Sequence, residues 1–434
     1  MISVSPSVPA TPRPASDYEA LAARFRPVFE RIAEGALHRE QTRELAFEPV
    51  AWLRAAGFGA VRIPVEHGGQ GASLPSLFRL LIELGEADSN VAHLFRGHFA
   101  FLEGRLHQPD ADSRAEWFHR VVGGALIGYA MAERGEATGG TATLTRAEDG
   151  DGWIIDGVKY YSTGAIYADW IVVSVLDGAE RVAVAVPAEA PGVTRVDDWD
   201  GFGQRLTGSG TTRFDRVRLP SGAVIRRFSA ADLQTQSYQK AFLQLVLLAT
   251  LAGIARTVLR DAVAFVQPRT RAFGIPGRSS PRADPLVQRV VGRLSSLAFS
   301  AAAAVDAAAS ALEELHYAAL SGQADEALYV ATEIKAFQAQ QIVIPQVLEA
   351  ATLIFEVGGA SATSDARRLD RHWRNARTVA SHNPAIHREQ AIGDYLLNGT
   401  APDGAWRAAL EGKAPRLDSS AEPAAPVDPF AARA

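Results

Sequence analysis

The chain has 434 residues, a net charge of −5 and a pI near 6.1. That length holds two or three domains around a large core, and the acidic balance argues against nucleic acid or an anionic membrane as main partner. Cysteine is absent, which excludes disulfides, a thiol nucleophile and cysteine metal sites.

Residues 1–16, MISVSPSVPATPRPAS, are rich in Pro and Ser and read as a disordered N-terminus. They lack the apolar core of a signal peptide, and no apolar run approaches the roughly 18 residues of a membrane span. A cytoplasmic protein is expected. From 17 to 123 the period is helical: Leu21, Phe25, Val28, Phe29 and Ile32 recur at helical spacing, then Val50 and Leu53 before Gly57. A turn-rich loop, Ile63–Leu74, leads into a helix over Leu74–Glu86. Ser89–Leu106 carries two histidines, His93 and His98, on different faces of a helix.

From 124 to 229 the period shortens. ALIGYAMAE, DGWIIDGVKYYSTGA and ADWIVVSVLDGAERVAVAV are short β-branched or aromatic runs separated by glycine turns, with Asp177-Gly178 as a hairpin signal. This predicts a compact β domain. Within it, DWDGFGQRLTGSG (Asp198–Gly210) has Gly201 and Gly203 but Leu206 where a dinucleotide fingerprint needs its third glycine, and no helix follows. The chain shows no nicotinamide-binding unit.

Residues 230–400 read as a four-helix bundle. Its members are Ala241–Val266, apolar nearly all round and so buried; the Ala-rich Asp284–Leu320; Ala324–Val357, which Pro345 is expected to kink; and Ile386–Leu397. Residues 401–434 read as a tail. Between the last two helices, Gly358-Gly359 lets backbone approach a ligand without side-chain obstruction. Arg371, Arg374 and Arg377 precede His382, and Pro384 keeps Asn383 out of the α region, so a helix restarts there. Basic charge, paired glycines and a histidine before a helix suit an anionic, planar cofactor.

The run WRNAR followed by HNP, within Leu369–Gly399, resembles the C-terminal signature of flavin-dependent monooxygenases built on the acyl-CoA dehydrogenase fold. The similar branch holds dibenzothiophene monooxygenase and the dimethylsulfone-type sulfur-acquisition enzymes. The resemblance extends from Arg24 to Gly399 and implies a mainly α protein: an N-terminal helical domain, a central β-barrel domain and a C-terminal four-helix bundle, assembled as a homotetramer. IPVEHGGQG, GYAMAERGEATGG, KYYSTGA and DWDGFGQRLTGSG are similar to loops of that fold. They imply flavin contacts from Tyr129, Ala132, Tyr161, Thr163 and Trp199, with Gly358 and Gly359 beside them. Arg271 and Phe273 of RAFG would reach the flavin phosphate across a subunit interface. The catalytic residues implied are His98, Thr163 and His382. The cofactor implied is FMN, delivered reduced by a separate NAD(P)H:flavin reductase, with FAD less favoured. O2 and a small molecule are the substrates.

Acyl-CoA dehydrogenation needs a carboxylate within hydrogen-bond reach of the proton it removes. One of the family's two places for it corresponds to TVASHNPAI (Thr378–Ile386), which contains no acid; the other falls near Leu243. Glu389 lies a helical turn too far. The FAD-dependent dehydrogenase reading therefore lacks its base. Histidines and a hydroxyl suit oxygen chemistry at a reduced flavin, which needs hydrogen bonds and a dry cavity. A non-catalytic flavin-binding protein is the remaining alternative. Tyr129 and Thr163 stand where the resembling enzyme carries Asn and Ser, which leaves the substrate open. Composition adds a hint. Met131 is the one internal methionine, although Met exchanges with Leu in cores at modest cost. Sulfur economy fits a protein made during sulfur starvation, and drift in an Ala- and Arg-rich genome fits equally. A small organosulfur substrate, a sulfone or related species, is expected.

Overall fold

The computed structural model describes residues 18–134, 142–228, 233–270 and 280–402. The N-terminal part contains α1 (Tyr18–Thr42), α2 (Phe47–Ala55), α3 (Leu74–Ala87), α4 (Ser89–Leu94), α5 (Arg96–Leu106) and α6 (Ala111–Val122). Short polar residues start three of them: the side chains of Ser73, Asp88 and Asp110 accept the first free N–H groups of α3, α4 and α6. The apolar faces meet in an aromatic knot. Phe58 stands edge-on to Phe25, Phe95 and Phe99, with ring centroids 5.2, 5.3 and 5.6 Å away.

Next come β1 (Ile127–Ala130), β2 (Thr143–Arg146), β3 (Trp153–Lys159), β4 (Trp170–Asp177), β5 (Glu180–Pro187), β6 (Val193–Arg195), β7 (Thr212–Leu219) and β8 (Val224–Arg227). They form one sheet in the order β6-β7-β3-β2-β4-β5-β8, with β1 parallel to β4. The expected hairpin joins β4 to β5, with Asp177 opposite Glu180 and Gly178 at a φ of 61°. The central strands alternate. Ile171, Val173, Val182 and Val184 fill the sheet's own core, while Val172, Ala183 and Ala185 on the opposite face pack into the helical core. Small residues on that face let the helices lie close to the sheet.

The C-terminal part contains α7 (Leu233–Val266), α8 (Pro285–Leu320), α9 (Glu326–Leu353), α10 (Asp370–Ala380) and α11 (Ala385–Asn398). Helices α7, α8 and α9 pack mutually, and α3 packs against α7 and α8. The expected fourth helix, here α11, lies outside against α9 and buries no residue. The basic stretch before it is itself a helix, α10, which seats Asn375, Ala376 and Val379 against α7 and α9. Its polarity hid its helical period. Helix α9 runs unbroken past Pro345 and tightens into a 3-10 turn over Ile354–Val357. Two helices, Ser237–Val266 and Pro285–Leu320, are long and apolar enough to cross a membrane, which corrects the composition reading. Both belong to the bundle, and 83% of the apolar window of the first is buried in protein.

Helices α3 and α7 cross at a pair of glycines. A Cβ on Gly253 would lie 2.5 Å from the carbonyl carbon of Gly85. Gly253→Ala should therefore lower stability by about 1–3 kcal/mol through overpacking, measured by denaturant unfolding. An unchanged midpoint would show that this crossing is not tight.

Candidate active site

A cavity of about 570 Å3 lies where the three parts meet. Helices α4 and α5 contribute His93, Arg96 and Gly97; the end of β1 contributes Tyr129, Met131 and Ala132. Tyr161 and Thr163 follow β3, Trp199, Phe202, Gln204 and Ser209 come from the loop before β7, and Thr378, Ser381 and His382 close it from the end of α10. No carboxylate lines it among the described residues.

Gln204 ties these walls together. It is buried, at a positive φ of 52° that a non-glycine residue adopts only under constraint. Its backbone N–H donates to Asn375 Oδ1 of α10 at 2.6 Å, its Nε2 to Ser89 Oγ of α4 at 3.0 Å, and its Oε1 accepts from His93 Nδ1 at 3.1 Å. Two residues on, Leu206 N–H donates to Asn90 Oδ1. A Cβ on Gly203 would lie 2.2 Å from the carbonyl oxygen of Arg374, so this glycine serves the approach of α10 to the loop.

His93 is thereby fixed as the Nδ1–H form. Its Nε2 is buried and has no partner among the described residues. Burial first, and then Arg96, hold its pKa down at about 4, so the ring is neutral at pH 7. His382 faces it, with ring centroids 6.1 Å apart. That ring is open to the cleft, yet enough protein surrounds it that desolvation, followed by Arg96 and His93, puts its pKa well below the ordinary value. Its Nδ1 lies 3.4 Å from Asn383 Oδ1, while Asn383 Nδ2 donates to Gln244 Oε1 at 2.8 Å. Two neutral imidazoles therefore share one wall.

The opposite wall carries a chain of hydroxyls. Thr207 donates to the Gln204 carbonyl at 3.0 Å, so Ser209 must donate to Thr207 at 2.7 Å and Thr163 to Ser209 at 2.8 Å. Thr163 thus spends its proton inside the protein and offers lone pairs to the cavity. In this arrangement it faces the cavity as an acceptor. Tyr161 sits beside it at a φ of 62°, half exposed, 6.0 Å from the Trp199 ring. Ala132 pairs with Tyr160, and a Glu133–Lys159 ion pair of 2.6 Å anchors the adjoining strand ends. Exposed aromatic faces, the small residues Gly97, Ala132 and Gly201, and polar atoms without protein partners together fit a planar, hydrogen-bonding ring system such as the isoalloxazine of FMN.

The structure separates other expected site residues from this cavity. His98 is wholly buried; its Nε2–H donates to the Gly59 carbonyl at 2.9 Å and its Nδ1 accepts from Ile127 N–H at 3.2 Å. Both nitrogens are used, so it bolts α5 to β1 and has none left for a ligand. Gly358 and Gly359 do not line the cavity either. A Cβ on Gly358 would strike the Phe265 ring at 2.2 Å, and Gly359 makes a turn at a φ of 53°. The basic run is largely neutralised: Arg371 pairs with Asp261, Arg374 with Glu40 and Asp370, and Arg377 bonds Ser381. Arg271 and Phe273 lie outside the described residues. Glu389 is exposed on α11.

His93, Arg96 and Gln204 were missed as site residues. A sequence signal existed for the first: Gly97 lies four residues after His93, which puts both on one face of the helix expected over Ser89–Leu106, and a residue without a side chain there marks a side that a ligand can approach.

The sequence matches the family models for the acyl-CoA dehydrogenase middle domain over residues 128–217 and C-terminal domain over residues 245–385. It is 27% identical over 399 residues to a protein described as a probable FMNH2-dependent monooxygenase, SfnC, of Pseudomonas putida, covering 90% of this chain and 96% of that one. It is 29% identical over 392 residues to a dibenzothiophene monooxygenase of Mycolicibacterium goodii, covering 84% and 91%. The fold superposes with a TM-score of 0.81 on a complex of TdsC from Paenibacillus sp. A11-2 with FMN and indole, at 25% identity, covering 89% of this chain and 100% of that one.

Buried neutral histidines make stability depend on pH. His93 and His98 are held at about 4, against 6.5 when free. Between those values the unfolded chain binds protons that the folded chain refuses. Stability present above pH 6.5 is therefore lost as the pH falls toward 4, by up to about 1.4 kcal/mol per pH unit for each histidine. Denaturant unfolding across that window should show this slope, and His98→Asn should reduce it. An identical slope in the variant would mean that His98 is not buried in its neutral form.

Proposed function

The chain belongs to the acyl-CoA dehydrogenase family, and within it we propose a two-component monooxygenase that uses reduced FMN and O2 to oxygenate a small organosulfur compound. The observation that carries this is the cavity wall: neutral histidines, hydroxyls and aromatic rings, without a carboxylate among the described residues. Leu243, at the place of one family base, offers only its carbonyl, which accepts from Arg96 Nε at 3.1 Å. Nothing there removes a proton alpha to a thioester. The relatives described as FMNH2-dependent and dibenzothiophene monooxygenases support the same reading.

When bound, reduced FMN would supply the electrons that activate O2. The chain's own residues orient, protonate and exclude water. Thr163, as an acceptor, would orient a ring N–H. Tyr161 and Trp199 would cover the ring system, and Tyr129 with Gly97 would leave it a flat seat. His93 Nε2 and His382 can each take up a proton and, with depressed pKa values, return it readily to the oxygen that leaves as water. Phe202 stacks on Trp373 of α10 at 6.0 Å at the cavity edge, where it shields the interior from solvent.

Two partners belong to the proposal. One is a separate NAD(P)H:flavin reductase. The other is further copies of this chain in a homotetramer: Leu397, Ile386 and Phe299 on the outer bundle helices are 84, 72 and 76% exposed, and association would cover them. In that assembly Arg271 would complete the flavin site. Scarcity of sulfur residues supports a role in sulfur acquisition.

Oxygen uptake with reduced FMN and a panel of small sulfur compounds, with products identified by mass spectrometry, tests the reading. Substrate-dependent oxygenated product is expected, with no NADH oxidation by the chain alone. Flavin reduction by any acyl-CoA would sink it. His93→Ala and His382→Ala should each cut product formation about 100-fold, with hydrogen peroxide released instead. If both variants keep full coupling, these histidines do not handle the proton.

A further inference from the structure

We propose that the cavity takes an anionic substrate whose oxygens are held by Arg96, which makes a small organic sulfinate, and not a neutral sulfone, the compound oxidised. This rests on the monooxygenase reading and narrows its substrate.

Arg96 opens α5 and lines the cavity. Its Nε donates to the Leu243 carbonyl, and no described carboxylate pairs with it. Several buried arginines of this chain are matched, Arg39 with Asp88 at 2.9 Å, Arg62 with Glu103 at 2.6 Å and Arg371 with Asp261 at 2.6 Å, whereas Arg105 in the adjoining cleft, like Arg96, bonds only a backbone carbonyl among the described residues. A desolvated cation without a counter-charge is costly, so its retention beside a cavity points to a ligand that brings the charge. Burial pulls Arg96 down to about 10, which leaves it cationic at neutral pH.

The surroundings reinforce this. Tyr129 feels Arg105 and Arg226 as well as Arg96. An adjoining cleft of about 200 Å3, which shares Tyr129 and Met131 with the cavity, presents Arg105, Arg226 and Lys240 and no described carboxylate. A chain of net charge −5 thus concentrates cations around one cavity, where they draw in anions. His93 and His382 are neutral, so a guanidinium fork that binds two oxygens in parallel is the cavity's main anion donor.

The chemistry agrees. Oxygen transfer to sulfur needs a lone pair on sulfur, which a sulfinate has and a sulfone lacks. In the balanced step a sulfinate, O2 and FMNH2 give a sulfonate, FMN and water. The O–O bond breaks and one S–O bond forms. Sulfur loses two electrons, and the two electrons and two protons of FMNH2 convert the second oxygen to water.

The test uses the full chain with FMN, a flavin reductase, NADH and isotope-labelled O2, with methanesulfinate, dimethyl sulfone and dimethyl sulfoxide as probes. Methanesulfinate should give singly labelled methanesulfonate with a KM at least about tenfold below that of either neutral compound. Arg96→Gln should raise that KM about tenfold or more, and Arg96→Lys should restore part of it. Anaerobic titration should show reduced FMN bound equally well by both variants. Oxygenation of the neutral probes but not of methanesulfinate overturns this inference and leaves the monooxygenase standing. No oxygenated product from any probe brings down both. Parallel loss of FMN and sulfinate in Arg96→Gln would assign the arginine to the flavin phosphate and also overturn it. If the Gln variant does not fold, wild-type competition decides: methanesulfonate should compete with methanesulfinate, and dimethyl sulfone should not.

Discussion

Three parts of the chain are held in register by one strained residue. Gln204 sits in a left-handed backbone conformation, buried, and bonds to α4, to α10 and to His93. A residue held there costs on the order of 1–3 kcal/mol, and it persists because its surroundings over-determine it. The strain places a loop of the β domain where both helical parts can reach it. The cavity exists at that junction, and its walls come from elements far apart in the chain.

The same junction decides the chemistry. By accepting from Nδ1, Gln204 dictates which nitrogen of His93 keeps its lone pair. The hydroxyl chain that ends on the Gln204 carbonyl dictates that Thr163 accepts. A tyrosine at positive φ, an orphan imidazole nitrogen and a guanidinium without a described counter-charge all border one cavity, where a ligand can complete them.

By itself, the sequence determined the order of helices, sheet and bundle, because hydrophobic period is a local property that survives any tertiary arrangement. Through its resemblance it also pointed to part of the cavity wall: Tyr129, Tyr161, Thr163, Trp199 and His382, with Ala132, all line it. Only the tertiary structure decided between His93 and His98. Both lie on one helical stretch, and which face turns to the cavity depends on where β1 and Gly59 pack. Only the tertiary structure, likewise, decided which arginines stay unmatched. Arg371 and Arg374 looked like ligands because they sit in a basic run, but Asp261 and Glu40 come from distant helices to neutralise them. Arg96 is an arginine of the cavity wall for which the fold provides no counter-charge among the described residues, and buried Arg105 in the adjoining cleft is another. Charge pairing is settled by distance in space, which spacing along the chain does not encode.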